Sequence, residues 1–128
     1  MPGEHADAFG GGAWGRSFRA SSRSDRMGLR LEGEPVPGAG AFAGMASVAV
    51  FPGTVQVPPD GRPILLLADA QTIGGYPVLG QVIAADLPRA AQLRPGDEVR
   101  FELVSLAEAR AALEHQEAAI AAVREAVR

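Results

Sequence analysis

The chain has 128 residues, a hydrophobic fraction of 47% and a formal net charge of -3, so it is sized for one domain with one modest core and is not globally disordered. That charge offers no basic footprint for nucleic acid and no polybasic cluster for anionic lipid. Cysteine is absent and all 12 basic residues are arginines, which excludes disulfides, thiolate metal sites, Schiff-base lysines, a Walker-type lysine and covalent biotin on this chain.

The opening Met1-Pro2-Gly3-Glu4-His5 has no basic stretch followed by an apolar one, so no signal peptide is read and the cytoplasm is the expected compartment. Residues 1–15 are glycine-rich and aperiodic, and are expected to be flexible or loosely packed, with Trp14 as an anchor. The β region is expected to run over residues 16–104. Phe18, Ala20 and Ser22 share one face of a first strand. Met27, Leu29 and Leu31 alternate with Gly28, Arg30 and Glu32 in a second. Pro35 to Gly44 reads as a loop, and Ser47 to Phe51 as a strand stopped by Pro52-Gly53.

Thr54–Val57 and Pro63–Ala68 flank Pro58-Pro59-Asp60-Gly61-Arg62, a hairpin connection in which proline fixes φ and glycine supplies positive φ. Ile64-Leu65-Leu66-Leu67-Ala68 is apolar on both faces, as a central covered strand should be. Tyr76–Ala84 and Glu98–Val104 are further strands, the last with Val99, Phe101 and Leu103 turned inward. Asp86 to Gln92 reads as a short helical turn. Ser105 and Glu108 form a capping box that opens a helix over residues 105–128. Leu106, Leu113, Ile120 and Val127 recur along it at heptad spacing, a narrow stripe for packing on the sheet or against another chain.

The two histidines, His5 and His115, stand apart from any further metal ligand, so no metal site is expected. The dense polar segment is Asp69-Ala70-Gln71-Thr72-Ile73-Gly74-Gly75-Tyr76, directly after the most apolar strand. Glycines there let backbone amides approach a ligand, although such a turn also satisfies its own backbone. Arg26 could fork onto a carboxylate or phosphate, or pair with a neighbour. Gln56, set among apolar residues, needs partners and is a structural bridge or a ligand contact.

Ser24-Asp25-Arg26-Met27-Gly28-Leu29-Arg30-Leu31-Glu32-Gly33 resembles the S-[ND]-R-M-G-x-R-L-x-G motif of the family of 5-oxoprolinase C-type subunits, also called the biotin-dependent carboxyltransferase or allophanate hydrolase subunit 2 family. Gly53-Thr54-Val55-Gln56-Val57-Pro58-Pro59-Asp60-Gly61-Arg62-Pro63-Ile64 and Asp69-Ala70-Gln71-Thr72-Ile73-Gly74-Gly75-Tyr76-Pro77 resemble its next two blocks, in the same order. The likeness covers only the C-terminal part of the family pattern. It implies a mostly β fold, a cyclophilin-like barrel or partial barrel with one C-terminal helix. It implies work within a complex, beside an allophanate hydrolase subunit 1-like (B-type) subunit and a third 5-oxoprolinase subunit. That complex uses ATP to open 5-oxoproline to glutamate. The implied pocket is lined by Arg26, Gln56, Gln71, Thr72, Gly74, Gly75 and Tyr76, with Asp69 as the acid/base candidate. A carboxyltransferase fragment acting on urea or a similar small amide is the enzyme alternative, and a non-catalytic binding or regulatory module is the other. The missing N-terminal part leads to the further expectation of an unpaired strand edge or an exposed apolar patch.

Overall fold

The period-2 segments do become strands, and their pairing curls them into a half-barrel. The structure, a computed structural model, describes residues 1–127. Its strands are β1 (Ser17–Ala20), β2 (Gly28–Glu32), β3 (Val48–Ala49), β4 (Thr54–Gln56), β5 (Ile64–Leu66), β6 (Ile73–Gly74), β7 (Val78–Gln81) and β8 (Glu98–Arg100). A short helix α1 (Leu87–Ala91) and a long one, α2 (Leu106–Ala126), complete the element order. Six strands form one antiparallel sheet in the order β7-β4-β5-β2-β1-β8, and β3 pairs with β6 as a separate ribbon. The mostly β expectation holds, with β5 central as its apolar run requires.

Alternation divides the sheet into two unlike faces. Phe18, Ala20, Leu29, Leu31, Val55, Leu65 and Leu79 point to one side, where Phe9, Ala13, Val36, Ala39 and Ala90 close over them as the core. Each fully buried Leu or Phe there contributes about 1.5–3 kcal/mol by leaving water. Gly61 makes the hairpin turn into β5 possible. Its φ is +76°, and a Cβ there would lie 2.7 Å from Pro35 Cβ and 2.9 Å from the Val36 carbonyl oxygen.

Residues 1–15 correct the expectation of a loose start. The Gly3 and His5 amides donate to the Leu79 and Val78 carbonyls at 2.8 and 3.1 Å, and the Gln81 amide donates to the Met1 carbonyl at 2.8 Å. Residues 1–5 thus run along the outer edge of β7. Behind them Ala6 and Phe9 are buried in a 3-10 turn, and Ala13 has no exposed surface. Glycine-rich composition hid this because the partners are some 80 positions away.

Several strand expectations are shortened: Ser47–Phe51 to Val48–Ala49, and Pro63–Ala68 to Ile64–Leu66. Tyr76–Ala84 is a strand only over Val78–Gln81, with Ile73–Gly74 diverted into the ribbon. Glu98–Val104 stops at Arg100, and Leu103 lies half exposed.

The capping box is present in both directions. The Glu108 amide donates to Ser105 Oγ at 3.1 Å and the Ser105 amide to Glu108 Oε2 at 2.7 Å. However, α2 does not pack on the sheet. No described residue of it is buried, and it rests on the 3-10 turn Ala84–Asp86, where Gln116 Nε2 donates to the Ala85 carbonyl at 2.9 Å. Leu106, Ile120, Val123 and Val127 are exposed. With so little tertiary support, the cap carries much of the helix. Ser105→Ala is expected to cost about 1 kcal/mol of helix stability. Far-ultraviolet ellipticity should fall while Trp14 fluorescence, a reporter of the sheet, stays at its wild-type value. An unchanged helix signal would show that tertiary contacts, not the cap, hold α2. No helix among the described residues is long and apolar enough to cross a membrane.

Candidate functional site

The face opposite the core carries the polar residues. Across it, Arg30 stands opposite Ile64, and Ile64 opposite Gln56. One register step on, Thr54 faces Gln81. Thr54 is fully engaged: its Oγ1 donates to Gln81 Oε1 at 2.9 Å and accepts from the Phe51 amide at 3.0 Å. Gln81 Nε2 in turn donates to the Pro52 carbonyl at 3.0 Å. Gln56 differs. It is 1% exposed, and its Nε2 has no acceptor among the described residues. Burying such a donor without an acceptor costs about 1–3 kcal/mol, so Gln56 Nε2 keeps capacity for one more partner.

The β3–β6 ribbon brings Gly74 down on that amide. A Cβ at Gly74 would overlap Gln56 Nε2 and lie 3.4 Å from Val50 Cγ1. The Val50 amide donates to the Thr72 carbonyl at 3.0 Å, which seats the ribbon. Gln71, Thr72 and Gly75 are exposed beside it.

Asp69 and Arg26 meet each other. Arg26 Nε lies 3.0 Å from Asp69 Oδ2, and the Asp69 amide donates to the Arg26 carbonyl at 3.1 Å. The preceding turn is set by Asp25, whose Oδ1 accepts from the Met27 and Gly28 amides at 2.9 and 3.2 Å. The pair is on the surface, with 87% and 49% of the two side chains exposed, so it contributes about 0–1 kcal/mol. Arg26, the residue expected to hold a ligand anion, therefore holds a carboxylate of its own chain.

Tyr76 goes elsewhere. It lines a hollow of about 470 Å³ with Ser21, Arg23, Arg30, Pro58 and Arg62, whose wall includes none of Gln56, Asp69 and Gln71. The structure thus brings Gly74 to Gln56 and Arg26 to Asp69, but places Tyr76 apart. Sequence reasoning did not single out Arg23, Arg30 or Arg62. The available signal was Arg30 itself, an outward cation in the alternation of Gly28, Arg30 and Glu32 with Met27, Leu29 and Leu31.

A second hollow, of about 460 Å³, opens on the core side among Trp14, Val55, Leu65, Leu79, Leu93 and Phe101. Glu98 stands at its rim. Ser17 Oγ donates to Glu98 Oε1 at 2.8 Å and Arg100 Nε at 3.1 Å, and these bonds, led by Ser17, hold the carboxyl below its ordinary pKa. His5 has a structural role: its Nδ1 accepts from the Val78 amide at 2.9 Å.

Comparison with known proteins fits this architecture. The chain is 49% identical over 96 residues to the C subunit of 5-oxoprolinase from Haemophilus influenzae, covering 75% of this chain and 31% of that protein. It is 40% identical over 111 residues to the C subunit of 5-oxoprolinase from Escherichia coli, covering 87% and 34%. The chain therefore spans about a third of the length of these curated relatives. Among solved structures, TTHA0988 superposes with a TM-score of 0.68 at 38% identity, over 80% of this chain and 20% of that one. The urea amidolyase of K. lactis superposes with a TM-score of 0.74 at 26% identity, over 84% and 7%. Residues 1–103 match the family model described as carboxyltransferase domain, subdomain A and B. The chain belongs to that carboxyltransferase-domain family.

Proposed function

We propose that this chain is the C-terminal part of a protein like the 5-oxoprolinase C subunits, contributing in the cytoplasm to ATP-dependent hydrolysis of 5-oxoproline to glutamate. The observation that carries this reading is the 49% identity to one such subunit across three-quarters of the chain. The buried Gln56 amide beneath Gly74, whose Nε2 has no acceptor among the described residues, supports it, because a small cyclic amide needs a fixed donor for its carbonyl oxygen. In this reading Gln71, Thr72 and Gly75 complete the substrate's surroundings near Gln56, whereas Tyr76 serves the separate hollow that it lines. Asp69, released from Arg26, supplies acid/base chemistry. ATP enters through the complex, with a B-type subunit and a third subunit as partners.

The test is reconstitution. Purified alone, the chain should show no ATP hydrolysis in response to 5-oxoproline. Added to the B-type and third subunits in a coupled assay, it should restore 5-oxoproline-dependent turnover. A partner set that gains nothing from its addition would refute the reading. The likeness to K. lactis urea amidolyase favours a second one, carboxyl transfer to urea or a similar amide. Carboxyl transfer to urea without 5-oxoproline-dependent ATP hydrolysis would select it.

A further inference from the structure

We infer that the hollow beside Tyr76 is a binding site for a small organic carboxylate, with Arg30 and Arg62 as the charged contacts. Three arginines, Arg23, Arg30 and Arg62, line one space of about 470 Å³. An arginine cannot shed its proton to relieve mutual repulsion, so such a group favours an anion among its members. Four arginines elsewhere pair with carboxylates: Arg16 meets Glu34, Arg26 meets Asp69, Arg89 meets Asp86 and Arg100 meets Glu98. Arg23, Arg30 and Arg62 have no such partner among the described residues. Glu32 and Asp60 line the same hollow, yet neither reaches ion-pair distance from the three. Asp60 Oδ1 instead accepts from the Arg62 amide at 2.9 Å, which shapes the turn and leaves the guanidinium unneutralised.

The rest of the lining suits an organic acid better than a bare inorganic anion. Ser21 is 2% exposed, and its Oγ accepts from the Arg23 amide at 3.1 Å, so its hydroxyl proton is available to a ligand oxygen. Pro58, Pro63, Ile64 and the Tyr76 ring supply apolar surface for a flat body. Arg30 also shares its sheet face with Gln56, two strands away across Ile64. The site rests on the hollow itself, whereas the identity of its substrate, an acid carrying an amide ring, rests on the 5-oxoprolinase reading.

The experiment is titration of the full chain, followed by calorimetry and amide chemical shifts, with four probes. These are 5-oxoproline, 2-pyrrolidinone (the same ring without its carboxylate), cyclopentanecarboxylate (a carboxylate without the amide) and orthophosphate. Both carboxylates should bind and shift the resonances of Ser21, Arg30 and Tyr76, with 2-pyrrolidinone at least about tenfold weaker. Arg30→Gln and Arg62→Gln should each weaken carboxylate binding by about 10- to 100-fold. Arg110→Gln, on α2, should not weaken it. Because Arg62 lies in an exposed turn, its variant folds even where an Arg30 change perturbs β2. Binding of cyclopentanecarboxylate but not 5-oxoproline keeps the carboxylate site and removes the 5-oxoprolinase reading. Binding of orthophosphate alone, no carboxylate binding, or binding insensitive to both arginines overturns the inference.

Discussion

Phe18→Ala is expected to lower the free energy of unfolding by about 3–5 kcal/mol, a large part of the roughly 5–15 kcal/mol typical of a domain. Phe18 is 1% exposed and sits on β1, the strand that joins β2 to β8. Its ring lies 6.0 Å from that of Phe101, and the Gly33 backbone fits so closely that a Cβ there would be 3.2 Å from Phe18 Cδ1. Backbone on one side and a paired strand on the other leave the walls little freedom to collapse. The truncation therefore loses the transfer energy of the ring and keeps most of the cavity. Urea unfolding followed by Trp14 fluorescence should show a lower midpoint with an unchanged slope. A loss under about 1 kcal/mol would mean that β1 and β8 are not part of the cooperative core.

Gly74→Ala is expected to cost about 1–3 kcal/mol through overpacking, and the cost should nearly vanish when Gln56 is also changed to Ala. The added methyl would occupy the space of Gln56 Nε2, with Cδ of the same amide at 3.2 Å. Gly74 does not adopt a positive φ, so the backbone itself accepts alanine and the effect isolates the side-chain collision. A double-mutant cycle measured by urea unfolding gives the coupling directly. Equal penalties in both backgrounds would show that Gly74 is not seated on the Gln56 amide, and the candidate ligand contact at Gln56 would lose its geometric support.

Much of the sheet was legible in the chain because its signals are local. The alternation at Leu29, Arg30 and Leu31, the Pro58–Arg62 turn and the Ser105–Glu108 cap each involve residues within a few positions of one another. The two-faced apolar run at Ile64–Leu66 placed β5 at the centre for the same reason. What was not legible depends on distant partners. Nothing near Gly3 announces that its amide will meet Leu79, and nothing near Asp69 announces Arg26. The candidate site suffered most. A run of polar residues from Asp69 to Tyr76 reads as one pocket, but the ribbon turns within it and sends Gly74 to Gln56 and Tyr76 toward the arginines. Sequence proximity reports a shared loop, whereas a shared cavity is decided by which strands the loop crosses.

The sparse footing of α2 makes it a lever. The helix touches the body around the Ala84–Asp86 turn, with Gln116 as its hydrogen-bonded fulcrum, and its last turns stand clear. From Gln116 to Val127 the helix extends about 17 Å, so a rocking of about 10° at the fulcrum carries its tip roughly 3 Å. Whatever seizes the exposed Ile120 and Val123 would pull on Ala85 and, through it, on the chain between β7 and α1. That stretch borders the core-side hollow, so force applied to the outer end of α2 is delivered to its wall at Ile83 and Asp86.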